Sequence, residues 1–420
     1  MAKGENQRRD RTKGNLMVFF RRLADGGIPR GVARTGPAIL SYGFRPFFLG
    51  AGIWAVAAMG LWVAALTAGL SVGGALGPIN WHAHEMVFGY TGAVLAGFML
   101  TAIPNWTGRL PVSGPPLLGL VLLWLAGRLV FLVPDLVGLG VALVIEALFL
   151  PALAVIALRE IVAGRNWKNL KILVAITVLA LADIWFHIAV ATGAAPTAPV
   201  RLAVGAWILL IMLVGGRIIP SFTRNWLARQ GAKNLPAPFG RFDQIAIVLA
   251  GVAFLVWVFA PTGWPTALLC AAAALMHLVR LVRWRGLGSF AEPIVAVMHV
   301  AYFMVVLGLA MLAASAMGWV FGSASALHIL LIGAMGGMTV AIMSRAALGH
   351  TGRPIRAARP VQLTYLLVFA AALARPLVDI FPARYSLILG ISGTLWILAF
   401  ALFVGVYGPI LLAPRVGRRD

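Results

Sequence analysis

Imidazole and carboxylate groups lie close together in one stretch of an otherwise apolar chain. The run Trp-His-Ala-His-Glu-Met at residues 81–86 places His82, His84 and Glu85 at the start of a long hydrophobic segment. Ionisable groups are rare in membrane-spanning segments because burying them in lipid is costly, and they usually mark a functional site. Imidazole is the commonest protein ligand of transition metals and also holds haem iron. The run therefore indicates a metal centre.

The spacing of these two histidines leaves their roles open. His82 and His84 are two residues apart, so they point in different directions on a regular helix. They bind a single ion only if the chain is still extended there; otherwise one is a ligand and the other has a different role. Asn80 is a candidate helix N-cap, which places both histidines in the first turn. A hydrogen-bonded packing role is the alternative for each of them.

The elements that carry these residues are membrane-spanning helices. Hydrophobic residues make up 61% of the 420 positions and charged residues 11%, whereas a soluble domain is about half apolar and about a quarter charged. The apolar residues form blocks of about 20 residues, which is the length of a helix that crosses a bilayer. The sequence therefore predicts an all-α polytopic membrane protein with twelve spans, at about 47–69, 81–103, 115–133, 136–158, 169–191, 202–219, 243–261, 265–283, 293–316, 325–344, 361–380 and 386–412.

The basic residues predict how these spans are oriented. The N-terminal segment, the loops after even-numbered spans and the C-terminus share one side of the membrane. That side holds every Lys and Arg except Arg128, Arg201, Arg375 and Arg384. Because basic loops face the cytoplasm, we expect both termini there. The chain then divides into a basic cytoplasmic segment at 1–46, a transmembrane domain at 47–412 and a short basic cytoplasmic tail at 413–420.

The net charge of +22 follows from the same distribution. Since the charge is spread over all the cytoplasmic loops, as membrane topology requires, it does not indicate nucleic-acid binding. The lipid bilayer is the expected partner, and the sequence points to no protein partner. Cys270 is the only cysteine, so an intrachain disulfide and a cysteine-based metal cluster are excluded.

With this topology, four histidines lie near the periplasmic side. His82 and His84 are at the outer end of span 2, His187 is near the outer end of span 5, and His328 is at the outer end of span 10. Arg128, in span 3, also falls in the outer half. Polar groups at one depth on several spans favour a shared metal centre over separate packing roles.

His187 and Asp183 form a candidate metal-binding pair in span 5. One helical turn separates them, so they lie on the same face. A carboxylate beside a metal-binding imidazole fixes its tautomer, and neutral imidazole binds copper well. A simple helix-packing pair is the alternative. Glu146, in span 4, lies nearer the middle of the membrane.

Two other histidines lie toward the cytoplasmic half. His299 is inside span 9, near Tyr302, which makes it a candidate metal ligand or proton-relay group. His277 precedes Arg280 and Arg283 at the membrane edge, where an interfacial role is expected.

A weak repeat occurs at three span ends. The pattern Ile-Pro-x-aromatic-Thr ends span 2 at 103–107 and span 6 at 219–223, and Thr-Gly-Arg occurs at 107–109 and again after span 10 at 351–353. The three span ends that carry these patterns belong to spans 2, 6 and 10, which are spaced by four spans. The pattern predicts three parallel four-helix units with spans 2, 6 and 10 in equivalent positions. The alternative is that prolines and small polar residues simply end helices at the cytoplasmic boundary.

Six blocks of the sequence together resemble the NnrS family, and they extend from span 1 to the loop after span 10. They are Phe-Arg-Pro-Phe-Phe at 44–48, Trp-His-Ala-His-Glu-Met-Val-Phe-Gly at 81–89, Ile-Pro-Asn-Trp-Thr-Gly at 103–108, Arg-Ile-Ile-Pro-Ser-Phe-Thr-Arg-Asn at 217–225, Met-His-Val-Ala-Tyr at 298–302 and Met-Ser-Arg-Ala-Ala-Leu-Gly-His-Thr-Gly-Arg at 343–353.

The resemblance implies a multi-pass protein of the bacterial inner membrane that contains haem and copper. It also implies a link to nitric oxide metabolism, nitrosative stress and denitrification, with nitric oxide or nitrosyl–metal species as partners. Carried over position by position, it points to the histidines His82, His84, His187, His299, His328 and His350. The first five are the predicted metal ligands, supported by Glu85, Asp183, Arg128 and Tyr302. The other motif residues are Arg45, Arg217, Arg224, Arg345, His350 and Arg353.

The predicted architecture is similar in outline to haem–copper oxidases, which hold a low-spin haem between histidines of their second and tenth helices. This chain lacks the adjacent histidine pair and the span 6 histidine that hold the oxidase copper, so oxidase chemistry does not follow. Two other functions stay open. The chain could be a transporter of a metal or small solute, although its polar groups cluster away from the membrane centre, or a membrane sensor or assembly factor. Whether it is an enzyme also stays open.

Overall fold

A computed structural model describes residues 36–417 and contains only helices and their connections in that range. Twelve helices are long and apolar enough to cross a membrane, which confirms the predicted number of spans and the all-α class. They are α1 (Phe44–Ala68), α2 (Gly74–Thr107), α3 (Pro115–Leu132), α4 (Leu139–Ala163), α5 (Trp167–Ala191), α6 (Thr197–Arg229), α7 (Arg241–Phe259), α8 (Trp264–Arg283), α9 (Pro293–Ala316), α10 (Ser323–His350), α11 (Arg359–Ile380) and α12 (Pro382–Leu412).

The helices α2, α6 and α10 extend beyond their predicted bounds. Pro104 and Pro220 were expected to end spans 2 and 6, but each lies inside a helix that continues past it. The N-cap prediction for Asn80 is also wrong. The α-helical part of α2 begins at Gly77, and the Asn80 amide donates a hydrogen bond to the Leu76 carbonyl at 3.0 Å.

The centre of the bundle is built from α2, α6, α9 and α10. In their most apolar stretches 83%, 67%, 78% and 78% of the residues are buried, compared with at most 50% in the other helices. The outer helices therefore present much of their apolar surface to the surroundings, as helices in lipid do. The last helix packs against the first, and Arg45 joins them by donating to the carbonyls of Leu411 and Ala413 at 2.7 and 2.6 Å.

Three π-helical segments occur in the described chain, at Glu85–Tyr90 in α2, Ile211–Gly215 in α6 and Ile329–Gly336 in α10. Short π-helical segments interrupt the regular ladder of backbone hydrogen bonds and are frequent at functional sites. Donors from other helices meet carbonyls of two of the segments. The Trp124 indole donates to Gly89 at 2.9 Å, and the Arg280 guanidinium donates to Met212 at 2.9 Å.

The ends of the same three helices share a threonine motif. The hydroxyl of Thr107 donates to the Ile103 carbonyl at 2.9 Å, that of Thr223 to Ile219 at 2.9 Å, and that of Thr351 to Ala347 at 2.6 Å. The same bond occurs at Thr67, Thr177 and Thr364 in other helices, so it does not distinguish these three. The π-helical segments are what α2, α6 and α10 share, and the three-unit repeat stays a prediction. The cytoplasmic location of both termini stays a prediction, and residues 1–35 and 418–420 of the two basic terminal segments lie outside the described residues.

Candidate metal centres

Four buried side chains from α2, α4 and α5 converge on one point. They are His84, Glu146, Asp183 and His187, and each offers one ligand atom within 4.8 Å of the other three. His84 Nε2 lies 3.1 Å from both Glu146 Oε2 and Asp183 Oδ1. His187 Nε2 lies 2.8 Å from Glu146 Oε2 and 3.4 Å from Asp183 Oδ1. We call these four residues the carboxylate–histidine cluster.

Aromatic rings surround this cluster and separate it from water. The ring centroids of Phe88, Phe131 and Phe186 lie 5.2, 4.6 and 5.1 Å from that of His84. All four cluster side chains are buried. In such an apolar setting an unbalanced charge costs far more than it does at a surface.

The charges next to the cluster do not balance when the imidazoles are neutral. Arg128 donates to Glu85 Oε2 at 2.7 Å and also pairs with Glu146. The Asp183 carboxylate lies beside Glu146 without contacting this guanidinium. With all three carboxylates ionised and both imidazoles neutral, two negative charges are in excess. A divalent cation removes this excess, and so does protonation of both imidazoles. The residues thus fit a divalent metal ion by charge and by ligand type.

Two neighbours of the cluster hold its side chains in place. The Trp54 indole donates to Glu85 Oε2 at 2.7 Å, and Glu85 Oε1 lies 3.3 Å from His84 Nδ1. A proton on Nδ1 directed at Glu85 leaves the lone pair of His84 on Nε2, where the other ligand atoms converge. Gly89 has no side chain where one would overlap the Arg128 guanidinium.

The second histidine pair lines a different space. His82 and His328 line a cavity between α1, α2, α10, α11 and α12, which we call the histidine cavity. Its volume is about 600 Å³ when the open space at its mouth is included. His82 is stacked on Trp62, with ring centroids 4.3 Å apart. His328 Nδ1 donates to the Ala324 carbonyl at 2.6 Å, so its lone pair is on Nε2. Arg375 lines the same cavity, and its Nη1 atom is buried without a hydrogen-bond partner.

The structure therefore separates the two histidines of the Trp-His-Ala-His motif. Since α2 is regular up to His84, His82 and His84 point to different sides, and they do not share an ion. His82 is brought to His328, and His84 is brought to His187 and Asp183. Glu146 completes the second group and is absent from the predicted site residues. Glu146 is an ionisable residue inside an apolar span, and this alone would have justified predicting it as a site residue.

His299 lies apart from both groups. Its Nε2 atom is 2.7 Å from the Thr223 hydroxyl, which itself donates to Ile219, so His299 is the donor of the shared hydrogen bond. The remaining Nδ1 atom is buried without a partner against Gly286. A single nitrogen with no second ligand group beside it does not form a metal site comparable to the carboxylate–histidine cluster.

Tyr302 belongs to another buried group, which contains Asp243 of α7, His277 and Arg280 of α8, and Tyr302 of α9. We call it the arginine–tyrosine cluster. Arg280 donates to Asp243 Oδ1 and to the Tyr302 oxygen, both at 2.7 Å. The Tyr302 hydroxyl lies 2.7 Å from His277 Nδ1, and His277 Nε2 donates to the Ala246 carbonyl at 3.2 Å. The expectation of an interfacial His277 is wrong, because this side chain is fully buried.

Two of the predicted motif arginines contact the loop between α6 and α7. Arg224 donates to the Pro236 carbonyl at 3.0 Å, and the Arg217 guanidinium lies 5.6 Å from the Phe239 ring centroid. Both contacts hold the loop against α6, and neither side chain reaches the carboxylate–histidine cluster.

The motif residues at the end of α10 lie at the opposite end of the bundle from His328. Arg345 is stacked over Phe222, with its guanidinium carbon 3.7 Å from the ring centroid. His350 lies 5.8 Å from the Tyr42 ring. Arg345 and His350 line one cavity with about 760 Å³ of empty space, which we call the arginine cavity. Arg353 follows the helix and has a buried Nη1 atom without a partner.

Comparison with known proteins assigns the chain to one family. No curated protein matches the chain. The family model described as NnrS protein matches residues 38–415, which include all twelve helices and both histidine groups. The chain is therefore a member of the NnrS family, whose members are membrane proteins linked to nitric oxide.

Proposed function

We propose that this protein binds haem and copper in the bacterial inner membrane and acts in nitric oxide metabolism and the response to nitrosative stress. The carboxylate–histidine cluster carries the proposal, because two imidazole nitrogens and two carboxylate oxygens converge beside an excess of negative charge. The basic loops support an orientation with both termini in the cytoplasm.

The carboxylate–histidine cluster fits copper. Oxidised copper favours mixed nitrogen and oxygen ligands, and it binds such sites more tightly than the other divalent ions of the first transition row. His84 and His187 supply the nitrogens, and Glu146 and Asp183 supply the oxygens. Glu85 accepts from the second nitrogen of His84, the usual support for a metal-binding histidine.

The histidine cavity fits haem. His82 and His328 lie on α2 and α10, and each has a ring nitrogen free of protein partners. Apolar and aromatic side chains make up most of the remaining lining, and the unpartnered Nη1 atom of Arg375 suits a haem carboxylate. When bound, haem and copper supply nitric oxide binding and one-electron redox chemistry. The residues of this chain hold the two groups, exclude water and balance their charge.

Single alanine variants of the histidines test this assignment. We expect His82→Ala and His328→Ala to erase or strongly shift the haem absorption spectrum while leaving copper content near normal. We expect His84→Ala and His187→Ala to remove copper while leaving the haem spectrum intact. His350→Ala is the matched control, since it lies at the other end of α10 and should change neither.

Optical spectra and metal analysis, both normalised to folded protein, give the two readouts. A haem spectrum that survives the combined loss of His82 and His328 contradicts the haem assignment. A copper-to-protein ratio that survives the combined loss of His84 and His187 contradicts the copper assignment.

A further inference from the structure

A third cavity lies between α2, α6 and α10. It encloses about 620 Å³ when the open space at its mouth is included, and we call it the central cavity. Apart from Thr339, every side chain in its lining is apolar. The Thr339 hydroxyl is not free, because it donates to the Gly336 carbonyl at 2.9 Å and lies 2.6 Å from the Tyr90 hydroxyl. The central cavity therefore offers no free polar group to a ligand.

The central cavity adjoins the other two cavities along the same helices. Met335 lines both the central cavity and the histidine cavity. Phe98, Ile218 and Ile342 line both the central cavity and the arginine cavity. Three cavities thus follow one another along α2 and α10, and only the middle one lacks a charged side chain.

The chemistry of this lining selects its occupant. Ions and water need polar partners, and a space without them is costly for both. Small apolar molecules fill such spaces, and apolar protein cavities that stay dry bind xenon or benzene. Methionine side chains are unbranched and change conformation readily, so Met335 suits a flexible barrier between two cavities.

We propose that the central cavity binds a small, uncharged, apolar gas molecule and supplies it to the histidine cavity past Met335. The supply step rests on the proposed function, since nitric oxide belongs to this chemical class and haem in the histidine cavity is its acceptor. Binding of the gas in the central cavity depends only on the lining of this chain.

Two variants narrow the central cavity without touching either neighbour. Val94 and Val214 line the central cavity but neither of the other two, so Val94→Phe and Val214→Phe fill it with added ring atoms. Val248→Phe is the matched control, because Val248 is 66% exposed on α7. Two independent filling positions guard against a variant that fails to fold through overpacking.

Xenon tests the binding site directly. We expect anomalous scattering from crystals of the full-length protein under xenon pressure to show xenon in the central cavity of the unmodified protein and of Val248→Phe. Xenon should be absent from this cavity in Val94→Phe and Val214→Phe. An unmodified protein whose central cavity stays empty under xenon overturns the proposal.

Stopped-flow binding of nitric oxide to the reduced protein tests the supply step. We expect the two filling variants to slow binding roughly tenfold, which corresponds to a barrier about 1.4 kcal/mol higher, and Val248→Phe to leave it unchanged. An unchanged rate in variants that exclude xenon rejects supply through the central cavity. If the purified protein contains no haem, both the supply step and the haem assignment are rejected. The xenon experiment does not depend on haem, so it still decides whether the central cavity binds gas.

Discussion

The carboxylate–histidine cluster and the arginine–tyrosine cluster contain similar groups but differ in charge balance. Each involves a fully buried arginine paired with carboxylate groups: Arg128 contacts Glu85 and Glu146 at the edge of the first cluster, and Arg280 contacts Asp243 in the second. Near Arg280 the single carboxylate of Asp243 faces two guanidiniums, those of Arg280 and Arg283, so no negative charge is in excess. Around Arg128 and its neighbours there are three carboxylates. The arginine–tyrosine cluster therefore has no negative charge in excess, whereas the carboxylates around Arg128 have an excess that a divalent cation or protonated imidazoles would balance.

The hydrogen bonds of the histidines differ in the same way. Both ring nitrogens of His277 have partners, one in Tyr302 and one in a backbone carbonyl. In the carboxylate–histidine cluster, by contrast, the Nδ1 atom of His187 and the Oδ2 atom of Asp183 are buried without partners. In the arginine–tyrosine cluster the Arg280 Nη2 atom is likewise buried without a partner. The histidine hydrogen bonds therefore differ between the clusters, but the charge balance is the main distinction between them.

Removal of Arg280 should have the largest effect on stability. Arg280→Leu leaves the Asp243 carboxylate buried without its guanidinium, and breaking a buried pair in this way typically costs about 3–5 kcal/mol. It also removes the donor to Met212 in the π-helical segment of α6. We expect a much lower midpoint of thermal unfolding in detergent, with the copper-to-protein ratio of the remaining folded protein unchanged.

Arg283→Leu is the matched control for this prediction. Arg283 is on the same helix, but its side chain is 33% exposed and lies 3.8 Å from Asp243. It should unfold within a few degrees of the unmodified protein, since half-exposed ion pairs contribute little. Equal midpoints for the two variants would show that the arginine–tyrosine cluster does not stabilise the fold.

Neutralising one carboxylate in each cluster should affect metal binding in only one of them. Glu146→Gln keeps the shape of the side chain but removes a negative charge that faces both His84 and His187. We expect copper affinity to fall at least about tenfold, because an amide oxygen is a weaker ligand for copper. Asp243→Asn makes the same change beside Arg280 and should leave copper affinity intact while lowering stability. Copper titration of the metal-depleted proteins measures the difference, and parallel losses in both variants would refute the distinction.

The number of spans, and the histidines that are candidates for a buried site, could be predicted from the sequence because both signals are local. The length of each apolar block determines a span, and rare ionisable groups stand out within it, as His84, His187 and His328 do. Which histidines face each other could not be predicted from their spacing in the sequence. It depends on the rotation of each helix and on which helices become neighbours, and so the partnership of His82 with His328 required the fold.

The second buried cluster shows why part of the molecule could not be predicted. Arg280 lies beside Arg283 at the basic end of α8, and in the sequence it resembles the positive charges that membrane topology places there. Only packing against α7 and α9 brings it to Asp243 and Tyr302. The same holds for two of the three π-helical segments, whose carbonyls at Gly89 and Met212 accept from Trp124 and Arg280 on other helices.

The smallest expected effect comes from the Tyr302 hydroxyl. Tyr302→Phe leaves the ring in place but removes the partner of His277 Nδ1 and one of the two acceptors of Arg280 Nη1. Losing one partner of a buried hydrogen bond costs about 1–3 kcal/mol, so the unfolding midpoint should fall by less than in Arg280→Leu. Tyr42→Phe is the control, because the buried Tyr42 hydroxyl has no partner to lose and its removal should cost little. Haem absorption and copper content per folded molecule should stay normal in both variants. A copper loss specific to Tyr302→Phe would link the arginine–tyrosine cluster to the metal site and contradict the separation drawn between the two clusters.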